Sequence, residues 1–401
     1  MPDTTLPGAL TGIRVIEAGL LVQGPQASAM LAQMGADVVK VELSGFGDQA
    51  RWLPLALDDF RSAYFHACNR GKRSVGLDLR HPAGAEVFRR LADSADVVIS
   101  NFKPGTMDGW GLGYAELAAR NPGLVYAAGS AFGPLGPDAQ REGADLSGQA
   151  AGGLISTTGR DGEPPTPVAA TVADHSAAQN LTSGILAALL ARTRTGRGQC
   201  VEVSLLGSQI WAQASEYTYY LLSGRLPGRA NGGNPMIPGL YGMVPTSDGW
   251  LAIVGVVGDQ RPRFFDAIGR PDILEDPRFA SPLLGPTQKA ELFAELATVF
   301  AQRTTAAWAE VLTAAGQRFA PVRDYAQVVA DPQPWVNGYL QKAVGPDGRE
   351  TTVVGTPIGF SDTPATVGTP APELGQNTEE VLLEAGYTWE EIEELRAQGA
   401  I

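Results

Sequence analysis

Cysteine and histidine are scarce: two cysteines and three histidines in 401 residues. Cys68 and Cys200 lie far apart and form neither a CxxC nor a zinc spacing. They read as reduced core or near-core thiols. His66, His81 and His175 show no metal-ligand spacing, so no metal is expected. Positive charge is also in deficit. Thirty Lys and Arg against 43 Asp and Glu leave a net charge of −13, without the basic footprint of a nucleic-acid binder. No apolar run reaches the roughly 18 residues of a membrane span, so no membrane partner is expected. Residues 1–11 lack a basic stretch followed by an apolar one, and cytoplasmic residence is the expectation.

Three nucleotide and hydrolase signatures are missing as well. The turn after the first strand pattern runs from Gly19 to Gly24–Pro25 and is not GxGxxG. Gly109, Gly111 and Gly113 have the wrong spacing and do not lead from a strand into a helix. No Walker A loop and no GxSxG elbow occur. NAD, ATP and serine-hydrolase chemistry are therefore disfavoured.

What is present is a β-α-β-α order over the first 135 residues. Strand patterns at 13–18, 36–43, 74–79, 96–100 and 124–128 alternate with helical stretches at 26–34, 83–95 and 114–120. This order predicts an α/β fold with a mostly parallel, Rossmann-like sheet and right-handed crossovers. Ligands then sit beyond the carboxyl ends of the strands. Residues 174–193 form a long helical segment with Leu181, Ile185, Leu189 and Leu190 on one face, closed by Gly196 and Gly198. A shift to Gly, Asn, Arg and Pro at 223–238 marks a boundary. We expect a large α/β domain from 1–222 and 331–401, with a smaller α+β domain at 223–330.

Asp174–His175 opens the long helix. An Asp there is a good cap, and it can also be a carboxylate nucleophile whose pKa the helix dipole lowers. Lys40, Arg51, Arg70, Lys72, Arg73, Arg80 and Lys103 gather in the first 103 residues. Each is most simply a solvated surface charge, but several near strand ends would suit a phosphate-rich ligand.

Several segments in this order resemble one family. They are Leu10-Thr-Gly-Ile-Arg-Val-Ile-Glu17, Gly35-Ala-Asp-Val-Val-Lys-Val-Glu42, Asn69-Arg-Gly-Lys-Arg-Ser-Val-Gly-Leu-Asp-Leu79 and Asp96-Val-Val-Ile-Ser-Asn-Phe-Lys-Pro-Gly105. Gln149-Ala-Ala-Gly-Gly-Leu-Ile-Ser-Thr-Thr-Gly159, then Asp174, Gly184-Ile-Leu-Ala-Ala-Leu-Leu190 and the tail segment from Leu374 to Tyr387 complete the set. Together they resemble the class III coenzyme-A (CoA) transferases, the CaiB–BaiF family, with a pattern nearest the formyl-CoA transferase branch.

The resemblance implies a transferase moving CoA from an acyl-CoA thioester to a small carboxylic acid through a covalent aspartyl intermediate. It implies that Asp174 is the nucleophile and that Gln23 and Gly24 border the thioester. Asp78, Arg80, Asn101, Phe102 and Lys103 fall at CoA-contact positions, and Asp145 beside the reaction centre. Gly232 and Gly233 are candidates for the glycine loop that stabilises oxyanions, although Asn231-Gly-Gly-Asn-Pro235 matches that loop only in part. CoA is implied as co-substrate, with no prosthetic group. Position 144, Tyr in formyl-CoA transferases and the catalytic His in α-methylacyl-CoA racemases, is Ala144. Leu43 and Glu142 replace basic residues found in other members. The alternatives are an acyl-CoA racemase or epimerase, which would need that His, and a non-catalytic acyl-CoA binder in which Asp174 only caps the helix. An interlocked homodimer is implied too. Two long turn-rich stretches, 156–171 and 332–374, would suit a chain that passes around a partner.

Overall fold

A computed structural model describes residues 7–344, 348 and 350–401. The chain forms two compact units. One takes in the residues up to Gly152 together with Ala169–Ala212 and Pro332–Ile401, and the other is built from Gly153–Val168 and Gln213–Asp331.

The first unit carries the expected parallel sheet. Its strands are β1 (Arg14–Ala18), β2 (Asp37–Glu42), β3 (Lys72–Gly76), β4 (Val97–Ser100), β5 (Val125–Ser130) and β6 (Cys200–Ser204). They run in the order β3-β2-β1-β4-β5-β6, and every pairing is parallel. Successive residues of a strand face opposite sides, so a sheet covered on both faces needs apolar residues at every position. Val15, Val38, Val97, Ile99 and Val125 face one side. There they pack on α1 (Gln23–Gln33) and on the long α4 (Val172–Thr195) through Leu31, Leu181 and Ile185. Ile16, Val39, Val75, Val98 and Tyr126 face the other side and pack on α2 (Pro82–Asp93). Helix α4 ends where Gly196 takes φ 68°, a left-handed cap that costs glycine nothing. Between β5 and α4 lies the short α3 (Asp145–Ala151).

The second unit is a three-stranded antiparallel sheet of β7 (Leu240–Pro245), β8 (Trp250–Val256) and β9 (Phe319–Pro321). It packs with α5 (Gln260–Ala267), α6 (Pro286–Phe300) and α7 (Thr305–Ala314). Its core is aromatic: Phe264, Phe265, Phe300 and Trp308 are buried, and Trp308 Nε1 donates to the Phe300 carbonyl at 2.8 Å.

The unit boundaries depart from the sequence expectation of 222/223 and 330/331. Residues 153–168 belong with the second unit because Arg229 ties them there. Its guanidinium donates to the carbonyls of Thr158, Arg160, Glu163 and Pro164. Ala230 and Asn231 N–H add bonds to Thr157 and Gly159. The helix Ala214–Ser223 also falls in the second unit. Residues 332–374 are turn-rich as expected, but not throughout. They include the helix Pro332–Val336 and an antiparallel hairpin of β10 (Leu340–Val344) and β11 (Glu350–Val354). Helices α8 (Thr378–Glu384) and α9 (Trp389–Ala397) bury Val381, Leu382, Ile392 and Leu395 against the α2 face of the sheet. Among the described residues, no helix is long and apolar enough to cross a membrane.

Most of the early cations proved to be internal. Glu17 on β1 sits between Lys40 Nζ at 3.0 Å and Lys72 Nζ at 2.8 Å, and Lys40 also reaches Asp48 at 2.9 Å. All four side chains are fully buried. Burial alone would raise the Glu17 pKa, but the two lysines overcome it and hold the carboxyl at about 2. Burial lowers Lys72 to about 8. Arg51 forks onto Glu42, Arg73 spans Asp37, Glu380 and Glu384, and Arg70 donates to the Val354 carbonyl. Of the seven cations, only Arg80 and Lys103 are exposed.

Removing one member of a buried charge set leaves its partner uncompensated. Lys72→Met should therefore lose about 3–5 kcal/mol of stability, read as a lower urea midpoint. Arg120→Ala breaks only exposed pairs, with Asp93 and Glu86. It should cost less than about 1 kcal/mol in the same assay.

Candidate active site

The carboxyl ends of β1, β4 and β5 lie side by side, where a parallel sheet presents its ligand crevice. The turn leaving β1 is held from beneath and from the side. Gly19 N–H donates to Glu17 Oε1 and Lys40 Nζ donates to the Gly19 carbonyl, both at 3.0 Å. Leu21 N–H donates to Asp48 Oδ1 at 2.9 Å. Leu21 takes φ 62°, a left-handed conformation unusual for a leucine. Such backbone persists only where its surroundings over-determine it.

Asn101, at the end of β4, grips the same turn. Its amide donates to the Leu20 carbonyl at 2.9 Å and its Oδ1 accepts from Leu20 N–H at 2.7 Å. This side chain is committed to the protein. Gly24 packs beneath it, where a Cβ would come within 3.2 Å of Asn101 Oδ1. Gln23, the first residue of α1, is buried and directs its amide to the Ser130 and Val203 carbonyls at 3.4 and 3.5 Å. Gly129 makes room for it, since a Cβ there would stand 2.5 Å from Gln23 Oε1.

Two small cavities lie at this end of the sheet. One, of about 210 Å³, is bordered by Leu20, Asp78, Arg80, Phe102 and Trp110. Arg80 forks onto Asp78 with two bonds of 2.8 Å, so the exposed guanidinium is oriented at the rim. The other, of about 260 Å³, is bordered by Phe102, Lys103, Tyr114, Tyr126 and Cys200. Lys103 pairs with the exposed Glu142 at 3.2 Å. Five of the expected CoA contacts, Asp78, Arg80, Asn101, Phe102 and Lys103, thus gather around one end of the sheet.

The capping expected of Asp174 comes from Asp145. Asp145, the first residue of α3, caps α4 from outside. Its Oδ1 accepts from Ala173 N–H at 2.7 Å and from Asp174 N–H at 3.2 Å, and its Oδ2 accepts from Gln149 Nε2 at 2.6 Å. Asp174 is in the first turn of α4, and no side-chain cap comes from Thr171 before it. Among the described residues nothing donates to its carboxylate. The expectation that the helix dipole would lower its pKa is corrected here. Burial raises it, the negative Asp145 raises it further, and it reaches about 7. Burial lowers the neighbouring His175, which favours its neutral form. Burial also pushes the Cys68 thiol up to about 12, in keeping with a core thiol. Cys200 is exposed rather than buried. Gly232 and Gly233 belong to the second unit and border a separate cavity there.

The family model for CoA-transferase family III matches residues 10–378. The chain belongs to CoA-transferase family III. It is 37% identical to the succinate–glutarate CoA-transferase of Agrobacterium fabrum, with 96% of this chain and 97% of that protein aligned. It is 34% identical to the succinyl-CoA:mesaconate CoA-transferase of Haloarcula hispanica, over 94% of this chain and 97% of that one. The crystal structure of a CAIB/BAIF family protein from Brucella suis superposes with a TM-score of 0.82 at 33% identity, covering 95% of this chain and 100% of that one. The chain is thus a CoA-transferase by family, and a CoA thioester is its co-substrate.

Sequence reasoning on this transferase passed over Glu17, Lys40, Lys72 and Asp48 as a unit. A signal was present: Lys40 interrupts the apolar run of β2, and a lysine is almost never fully buried unless paired.

Asp174 keeps its proton in the folded transferase up to about pH 7, against an ordinary value of 3.8. Between those values the unfolded chain has already lost the proton, so stability falls as pH rises. Asp174→Asn removes this penalty. It should raise Tm by a few degrees at pH 8, roughly 2 kcal/mol, and the gain should vanish as pH approaches 4. Melting curves of both proteins across pH 4–8 check this.

Proposed function

We propose that this transferase moves CoA from succinyl-CoA to a small dicarboxylic acid through an intermediate carried on Asp174. The observation that supports it best is a half-buried carboxylate in the first turn of α4 that accepts no hydrogen bond among the described residues, while Asp145 does the capping. A carboxylate that binds its proton more tightly is a better nucleophile, and near pH 7 a large share of it is still ionised. The dicarboxylate class follows the names of the relatives.

The reaction proceeds by four displacements. Asp174 attacks the thioester carbonyl, the C–S bond breaks, and CoA thiolate leaves from a mixed anhydride. The thiolate then attacks the aspartyl carbonyl and releases succinate, giving an aspartyl–CoA thioester. The acceptor carboxylate attacks that thioester and expels the thiolate again. Finally the thiolate attacks the acceptor's carbonyl, which forms the new CoA thioester and returns Asp174 as a carboxylate. No net proton is exchanged. Asp78, Arg80, Phe102 and Lys103 are proposed to bind CoA, Gln23 and Gly24 to border the thioester, and Asn101 to hold the turn on which they depend. Water must be kept from the anhydride, which it would hydrolyse.

The chain is proposed to act as a homodimer. Trp211, Leu221 and Leu222 are 72%, 77% and 84% exposed in the single chain, large apolar side chains that a partner would cover. Light scattering should give twice the chain mass at micromolar concentration, and a stable monomer would contradict this.

The nucleophile is tested directly. After brief mixing with succinyl-CoA the protein should gain the mass of a CoA or succinyl adduct. Hydroxylamine should trap a hydroxamate at Asp174 alone. Turnover should rise with pH through about 7 as Asp174 ionises, on the raised value above. Asp174→Asn should fold yet lose at least about 10³-fold in kcat, since a neutral amide cannot attack. An active Asn variant, with deamidation excluded by mass, would sink the mechanism.

A further inference from the structure

The turn between β1 and α1 holds a conformation that its own sequence disfavours. Leu21 takes φ 62°, where its Cβ crowds the backbone. Glycine would take that conformation freely, yet the position is leucine. The residues on either side of it belong to the site. Leu20 borders the cavity of about 210 Å³ together with Asp78, Arg80 and Phe102, and Gln23 and Gly24 open α1. Relaxation of Leu21 to a negative φ would turn these two segments against each other.

One side chain opposes that relaxation at Leu21 itself. Leu21 N–H donates to Asp48 Oδ1 at 2.9 Å, and Asp48 is fully buried. A backbone donor on an ionised carboxylate makes a stronger bond than one on a neutral acceptor. Asp48 is itself fixed. Its own N–H donates to Glu42 Oε2 at 3.0 Å, and Arg51 forks onto the same Glu42. The ordinary duties of Asp48 are two. Its Oδ1 accepts from Ala50 N–H at 2.8 Å and caps the short helix Gln49–Trp52, and its Oδ2 stands 2.9 Å from Lys40 Nζ. Neither duty calls for the bond to Leu21, which lies 27 residues earlier in the chain. Strained backbone over-determined in this way is characteristic of ligand clamps.

We propose that Asp48 is a positioning residue for CoA, which acts through the Leu21 N–H to hold the β1–α1 turn in its receptive shape. This rests on the reading that CoA binds in the crevice of the first unit. Asp48 touches no ligand in this scheme. It removes the cost that CoA would otherwise meet in drawing Leu21 back to the left-handed conformation.

The test is isothermal titration of CoA into the full chain. Asp48→Ala removes the acceptor and should bind CoA at least about tenfold more weakly. Adding Leu21→Gly to that variant should recover most of the loss, because glycine keeps the conformation without a clamp. A role of Asp48 in stability alone predicts no recovery, since residue 21 would then be irrelevant. Leu21→Val decides the matter if Asp48→Ala does not fold, because it leaves the cap and the buried charges intact. A β-branched residue is an outlier at positive φ, so this variant should also bind at least about tenfold more weakly. Native affinity in Asp48→Ala or in Leu21→Val, or no recovery in the double variant, would overturn the proposal. Arg80→Ala/Lys103→Ala tells the two readings apart. Native affinity there would move CoA out of this crevice and sink both. Weak binding there, with native affinity in the Asp48 and Leu21 variants, would keep the crevice and sink only the clamp.

Discussion

An ionised glutamate in the middle of a parallel sheet is tolerable only with cations beside it, and Glu17 has Lys40 and Lys72 within 3.0 Å. Much of the large unit follows from that contact. Glu17 and Lys40 are direct register partners across β1 and β2. A slip of one residue would turn them to opposite faces and strand both charges in the core. The register of the central strands is thus held by electrostatics as well as by apolar packing. The same group reaches upward, since Glu17, Lys40 and Asp48 bond the backbone of Gly19 and Leu21. A turn that would otherwise relax away from a left-handed leucine is kept in one shape at the mouth of the crevice.

The two aspartates of the site show how environment separates identical groups. Asp145 receives two backbone N–H donors and a Gln149 amide. Asp174 receives none among the described residues and faces Asp145's charge as well. Divergent surroundings of this kind commonly mark which of two acids reacts and which positions. The division also disposes of the view that Asp174 is there to cap α4, because that work belongs to its neighbour.

The parallel sheet, its helices and the long α4 were legible because apolar periodicity and glycine stops are local signals. Gly196 closes α4 as its sequence implied. The cations were not legible. Lys40, Lys72, Arg51 and Arg73 look like any solvated charge until residues far along the chain supply their partners. Nothing in the residue order hints that Arg229 would draw 153–168 into the second unit. Four carbonyls on one guanidinium are a tertiary event without a residue pattern. The pKa of Asp174 was misjudged because helix position is visible in sequence while burial and the approach of Asp145 are not.

The return of α8 and α9 to the sheet has a consequence for synthesis. All six strands have left the ribosome once Ser204 has emerged, yet Val381, Leu382, Ile392 and Leu395, which help cover one face, come far later in the chain. Arg73 waits equally long for Glu380 and Glu384. During that interval the nascent chain carries a partly uncovered apolar face. Final closure then depends on contacts of very large sequence separation, which form slowly.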